Sequence, residues 1–185
     1  LLGLAAVVYD QDGSLPDDVL ALYDRALALM FKRGGDRFGS PRQAQMAARA
    51  ELAEAAATKL LGASPTSQFS RKEVKGLDHS PLIFASGVLV DAEQMRFAHL
   101  TLGEFAAAEW IQDALSPADW LATYPWSTDG LMPGEAWPMA WARAGTSSLD
   151  LLLAEGGIRA ATMLVRSLGW YPVGINEWLC SRAPR

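Results

Sequence analysis

Ser86-Gly87-Val88-Leu89-Val90 and, after a polar turn, Met95-Arg96-Phe97-Ala98-His99-Leu100-Thr101-Leu102-Gly103-Glu104-Phe105-Ala106-Ala107-Ala108 decide how this chain is read. Residues 88–90 and 95–98 are two short apolar runs joined through 91–94, which suits a small hairpin with a four-residue connection. Beyond them Thr101 and Glu104 have capping-box spacing, and Leu102, Phe105, Ala106 and Trp110 recur at intervals of three and four, the pattern of a helix with one apolar face. A strand pair leading directly into a helix places His99 at the junction.

Upstream the punctuation is helical. Ser80-Pro81 opens a short turn over 82–86 that Gly87 closes, and Ser70 with Glu73 three residues on forms another capping box. Ser40-Pro41 starts a longer helix in which Met46, Ala50, Ala53, Ala57 and Leu60 step along one face until Gly62. Residues 63–68, with Pro65, read as a loop. Before that, Ser14, Pro16, Asp17 and Asp18 announce a helix whose stripe is Val19, Leu20, Tyr23, Ala26, Leu27, Met30 and Phe31, and Gly34-Gly35 is expected to end it. Helix, helix, helix turn, two-stranded wing, helix is the order of a winged-helix domain.

The expected fold class is therefore mainly α, with a winged-helix domain over about residues 40–115 carrying a two-stranded hairpin. Residues 1–39 precede it as the end of a first helical domain, and 116–185 begin a second helical region. In that last part helix-sized segments fall at 116–123, 147–154 and 158–168, and all seven tryptophans lie between Trp110 and Trp178. The tryptophans are expected to be packing anchors, with a protein-contact surface as the alternative. No repeat of fixed period is visible that would identify a helical array.

Composition narrows the function. Hydrophobic residues make up 50% of the 185, enough for a sizeable core, yet no run approaches the ~18 apolar residues of a membrane span. The apolar opening, 1–9, has neither a basic flank nor a cleavage site, so no signal peptide is read. Because it begins at Leu1 inside a helical stretch, the chain is expected to be a fragment of a longer protein. A net charge of −5 opposes nucleic acid and anionic membranes. One cysteine, Cys180, and two histidines, His79 and His99, cannot make a four-ligand Cys/His zinc site, and the single thiol points to a reducing, cytoplasmic setting. Neither G-x-S-x-G nor H-E-x-x-H occurs, and no residue is assigned a catalytic role. Glu104 is accounted for by its cap position. Arg71, Lys72 and Lys75 form a solvated basic face. Residues 82–86, which would have to enter a DNA groove, offer no Arg, Lys, Asn or Gln to the bases.

The residues quoted at the outset resemble the winged-helix segment of NACHT-type STAND signalling NTPases, where an S-G-x-L strand is followed by an aromatic, one residue and the sequence H-L-T. Gly13-Ser14-Leu15-Pro16 with Leu22-Tyr23 and Ala26-Leu27 is similar to the G-x-L-P helix of the same family's first helical domain, in the same order and spacing. Together the two matches cover roughly residues 1–115. The resemblance implies a regulatory, autoinhibitory segment that follows a P-loop nucleotide-binding domain and closes over bound ADP. His99 would be the residue that reaches the β-phosphate, and activation would release the segment so that protomers oligomerise. Bacterial relatives of this kind are often linked to defence against phage. ADP or ATP would be held by the parent protein, which would be an ATPase. This chain has no G-x-x-x-x-G-K-[ST] and should hydrolyse nothing. Gly103 departs from the family, where glutamine is common. Two other readings stay open: a helical interaction scaffold with no nucleotide link, and a DNA-binding winged-helix regulator.

Overall fold

A computed structural model describes residues 2–62, 65–90, 94–123, 134–171, 178 and 181. Helix α1 (Leu2–Asp12) turns Leu4 and Val8 onto α2 (Val19–Phe38) and leaves Leu2, Ala6 and Tyr9 exposed. The α2 helix starts later than Ser14 and Pro16 predict: Asp18 is its cap, its carboxylate accepting the Ala21 N–H at 2.7 Å. It also runs through Gly34-Gly35 and stops at Gly39, whose φ of 60° is the left-handed conformation glycine tolerates best. The glycine pair serves packing instead. A Cβ on Gly34 would sit 2.8 Å from the Ser86 nitrogen and 3.0 Å from the Ala85 carbonyl carbon, so only glycine lets the next layer approach this closely.

Helix α3 (Arg42–Leu60) begins after Ser40-Pro41 as read, but its buried face is Ala48, Leu52, Ala53, Ala56 and Ala57. Met46 is 63% exposed and Ala50 faces solvent, which corrects the predicted stripe. Alanines on most sides of this helix blur the periodicity that would have fixed its rotation. There follow β1 (Gln68–Phe69), α4 (Arg71–Lys75), α5 (Ser80–Ser86), β2 (Leu89–Val90), β3 (Met95–Phe97) and α6 (Leu100–Ala114). The Ser70–Glu73 capping box is present in both directions, and Gly87 closes α5 at φ 73°.

The order of the winged helix is thus as read, with one correction: the wing is three-stranded, β1-β3-β2, antiparallel throughout. Gln68 pairs with Arg96 and Phe69 with Met95 on one side of β3, and Leu89 pairs with Phe97 and Val90 with Arg96 on the other. The expected loop at 63–68 supplies this third strand, and two residues are too few to show a period. Residues 63–64 and the hairpin connection at 91–93 lie outside the described residues.

Among the described residues four further helices are bounded: α7 (Pro117–Thr123), α8 (Ala136–Arg143), α9 (Thr146–Glu155) and α10 (Gly157–Leu168). Three match the predicted segments closely, whereas α8 was not anticipated. Pro138 sits at its third residue, where a backbone N–H has no helical partner to lose. Trp120, Trp137 and Trp141 are buried, and the Trp120 and Trp141 rings meet edge to face at 5.1 Å, so these tryptophans are packing anchors. Trp126 and Cys180 lie outside the described residues. One buried apolar cluster runs from Leu4 to Met163, across both boundaries drawn from the sequence. Among the described residues no helix is long and apolar enough to cross a membrane.

Three outcomes follow from this packing. Gly34→Ala should destabilise by about 1–3 kcal/mol, the usual cost of overpacking, because its obstacle is α5 backbone. Gly35→Ala meets only the Gln45 side chain, so its urea midpoint should stay close to that of the parent. The Leu2, Ala6 and Tyr9 stripe should make the chain self-associate at high concentration. Sedimentation of the double variant Leu2→Lys, Tyr9→Lys should show a monomer where the parent chain shows a concentration-dependent increase in mass.

Candidate functional site

Strand alternation builds the site. In β3, Met95 and Phe97 point into the core while Arg96 stands on the outer face between Gln68 of β1 and Val90 of β2. Phe97 is held by the Phe69 ring, edge on at 5.4 Å, and it lies over Gly103, where any Cβ would collide with the ring. That contact explains the glycine at a position where the resembled family carries glutamine. The chain then turns at His99, whose backbone is extended (φ −134°, ψ 131°) and which caps α6 without a side-chain hydrogen bond. Its neighbours are pinned on both sides: the Ala98 N–H donates to the Val88 carbonyl at 2.8 Å and the Leu102 N–H to the His99 carbonyl at 3.0 Å.

The His99 ring is exposed and lines an open cleft of about 560 Å³ with Ser67, Val90, Arg96, Phe97, Ala98 and Leu100. Among the described residues neither Arg96 nor His99 has a hydrogen-bond or ion-pair partner for its side chain. The other histidine is engaged through Nδ1 and its backbone N–H. His79 places Nδ1 2.6 Å from one Glu51 oxygen and donates its backbone N–H to the other at 2.9 Å, tying the start of α5 to α3. One imidazole is structural, and the one selected from the sequence is free to meet a ligand. Arg96 and Ser67 were not singled out in advance. The alternation of Met95, Arg96 and Phe97 carries the signal for Arg96.

Glu104 needs correction. The helix begins one residue before Thr101, with His99 as cap, so Thr101 and Glu104 form no capping box. Glu104 is buried, 9% exposed, and one carboxylate oxygen accepts the Glu135 N–H at 2.9 Å. Burial raises its pKa above the ordinary value; the Glu135 N–H and the Arg166 charge oppose that rise and the Glu135 carboxylate adds to it. A few residues along α6, Glu109 receives Arg49, which also binds Asp24, and lies 3.6 Å from Arg143, whose guanidinium stacks over Phe105 at 4.7 Å. These two acids anchor α6 to α2, α3 and α8; neither lines the cleft at His99.

The remaining candidates are structural. Arg71, Lys72 and Lys75 are exposed as read, with Arg71 about 6.0 Å from the Phe84 ring. Leu82 and Ile83 of α5, the helix before the wing, are buried. Among the described residues no group of His, Cys, Asp or Glu could hold a metal ion. Comparison with family models, with curated proteins and with solved structures finds no match to this chain.

Glu104 generates a pH prediction. A carboxyl whose folded pKa is raised binds protons more tightly in the folded state, so it costs stability as pH rises from the ordinary 4.5 through its folded value. Glu104→Gln keeps an oxygen for the Glu135 N–H and removes the charge. Its urea midpoint should exceed that of the parent chain at pH 7.5 and by less at pH 5.

Proposed function

We propose that this chain is the nucleotide-sensing, autoinhibitory segment of a NACHT-type signal-transducing NTPase in the cytoplasm, the part that holds the parent closed on ADP. The supporting observation is His99, exposed and without a side-chain partner among the described residues, which lines an open cleft where a strand ends and a helix starts. In this reading a P-loop domain of the parent holds the nucleotide, and the imidazole donates a hydrogen bond to its β-phosphate. A charge-assisted hydrogen bond of this kind contributes about 1.5–3 kcal/mol, whereas inverting a 1:99 equilibrium takes ~5.5 kcal/mol. His99 therefore biases the closed state, and domain contacts supply the rest. The exposed Leu2, Ala6 and Tyr9 stripe on α1 offers one such contact. On release, the same surfaces become available to other protomers.

The test is His99→Ala in the full-length parent. Basal signalling should rise and bound ADP should exchange about 10-fold faster or more, the lower limit set by a single lost charge-assisted bond. Unchanged ADP retention counts against the sensor role.

A further inference from the structure

An open groove of about 300 Å³ lies between α3, β1 and α4 and shares no residue with the cleft at His99. We propose that it is a docking site for a basic segment of a partner protein, in which a lysine or arginine meets the Glu54 carboxylate and an aliphatic neighbour packs over Ala55 and Leu77.

Helical spacing makes the groove. Glu51, Ala55 and Thr58 follow one another along a single face of α3, with Glu54 on one flank and Lys59 on the other. Ala55 is the small residue of that row, and with Phe69, Val74 and Leu77 it gives the groove an apolar lining. The groove already holds one alkylammonium against that lining: the Lys59 ammonium lies 6.0 Å from the Phe69 ring centre and 2.5 Å from a Glu73 oxygen. Glu73 is firmly ionised, its carboxyl brought down to about 2 first by the Lys59 ammonium and then by the Ser70 N–H and hydroxyl. This pair neutralises the one cation among the lining residues and leaves two acids. Glu51 has its oxygens on the His79 Nδ1 and backbone N–H, at 2.6 and 2.9 Å. Glu54 is exposed, and among the described residues its carboxylate meets no donor or cation. Arg71, Lys72 and Lys75 of α4 do not line the groove.

A negative rim over apolar walls complements a cation carried on an aliphatic stem, as in lysine and arginine, and opposes an anion. Size narrows the occupant further. The volume stands at the lower end of ligand pockets, which begin at about 300 Å³, so it takes a side chain and its neighbour rather than a large cofactor.

The experiment titrates the 185-residue chain with the peptide acetyl-Ala-Leu-Lys-Ala-amide, its counterpart acetyl-Ala-Leu-Glu-Ala-amide and spermidine, followed by amide NMR. Saturable shifts with the lysine peptide should be confined to the groove, at Glu54, Ala55, Thr58 and Leu77, and the other two probes should bind more weakly. Glu54→Gln should weaken the lysine peptide by about two- to fivefold, the range of an exposed ion pair. Ala55→Leu fills the groove from a helical position that leucine suits and should remove saturable binding. Preserved dispersion of the spectrum shows that each variant is folded. Equal binding of the two peptides, tighter binding of spermidine, or unchanged affinity in either variant overturns the assignment. So do non-saturating shifts spread over the exposed Asp10, Asp17 and Asp36, which report ionic screening alone. Shifts at the groove on raising the chain's concentration without peptide give it to a second copy and overturn the assignment as well.

Discussion

Close approach of α6 to its neighbours is the constraint from which the rest of the structure follows. Gly103, Ala106, Ala107 and Ala108 are all buried on α6, and α3, which packs along it, turns in Ala48, Ala53, Ala56 and Ala57. Small side chains bring the two helix axes together, and the larger Leu52, Phe105 and Ile111 fill the flanks. Because interiors are close-packed, such a contact tolerates little displacement. The wing inherits that rigidity. Phe97 rests on Gly103, so β3 is registered against α6, and the turn between them is where His99 stands.

The same helix fastens the C-terminal region by polar contacts. Glu104 takes the Glu135 N–H, and Glu135 in turn binds Arg166 at 2.7 Å and the Trp170 indole N–H at 2.8 Å. This chain of groups links α6, the start of α8 and the end of α10. Glu109, between Arg49 and Arg143, is only partly exposed, so its pairs are less screened than a surface bridge. Tyr171 closes the far side: its hydroxyl lies 2.5 Å from the Ser148 hydroxyl, and burial pushes its pKa up to about 12. The chain after residue 116 is thus tied to the winged helix by hydrogen-bonded acids as well as by tryptophans.

Signals that depend on a few neighbouring residues were readable. The Ser70–Glu73 box, the Ser80-Pro81 start and the Gly87 stop all appear where the sequence puts them. Signals decided by distant packing were not. Gly34-Gly35 looks like a helix end because glycine is costly within a helix, but the approach of α5 settles the matter. Thr101 and Glu104 have the right spacing for a cap, yet the helix starts earlier and Glu104 is drawn toward a backbone N–H 31 residues away. Pro138 hides α8 because proline is read as a breaker unless its place in the first turn is known. At the candidate site His99 was legible through its motif. Arg96 was not: the alternation of Met95, Arg96 and Phe97 puts it on the outer face of β3, but no local signal shows which residues share that face.

The two histidines show why exposure matters more here than residue type. His79 and Glu51 pair within the chain, which commits Nδ1 of that imidazole to α3. His99 is equally well positioned by its backbone but has no internal partner among the described residues. A side chain held in place on a rigid turn loses little conformational entropy when a ligand arrives, so more of its interaction energy is available to bias a switch. A single charge-assisted bond supplies about 1.5–3 kcal/mol of the ~5.5 kcal/mol that a decisive shift demands, so a sensor at this turn would need domain contacts to complete the bias. A lone imidazole on a flexible loop would fall well short of it.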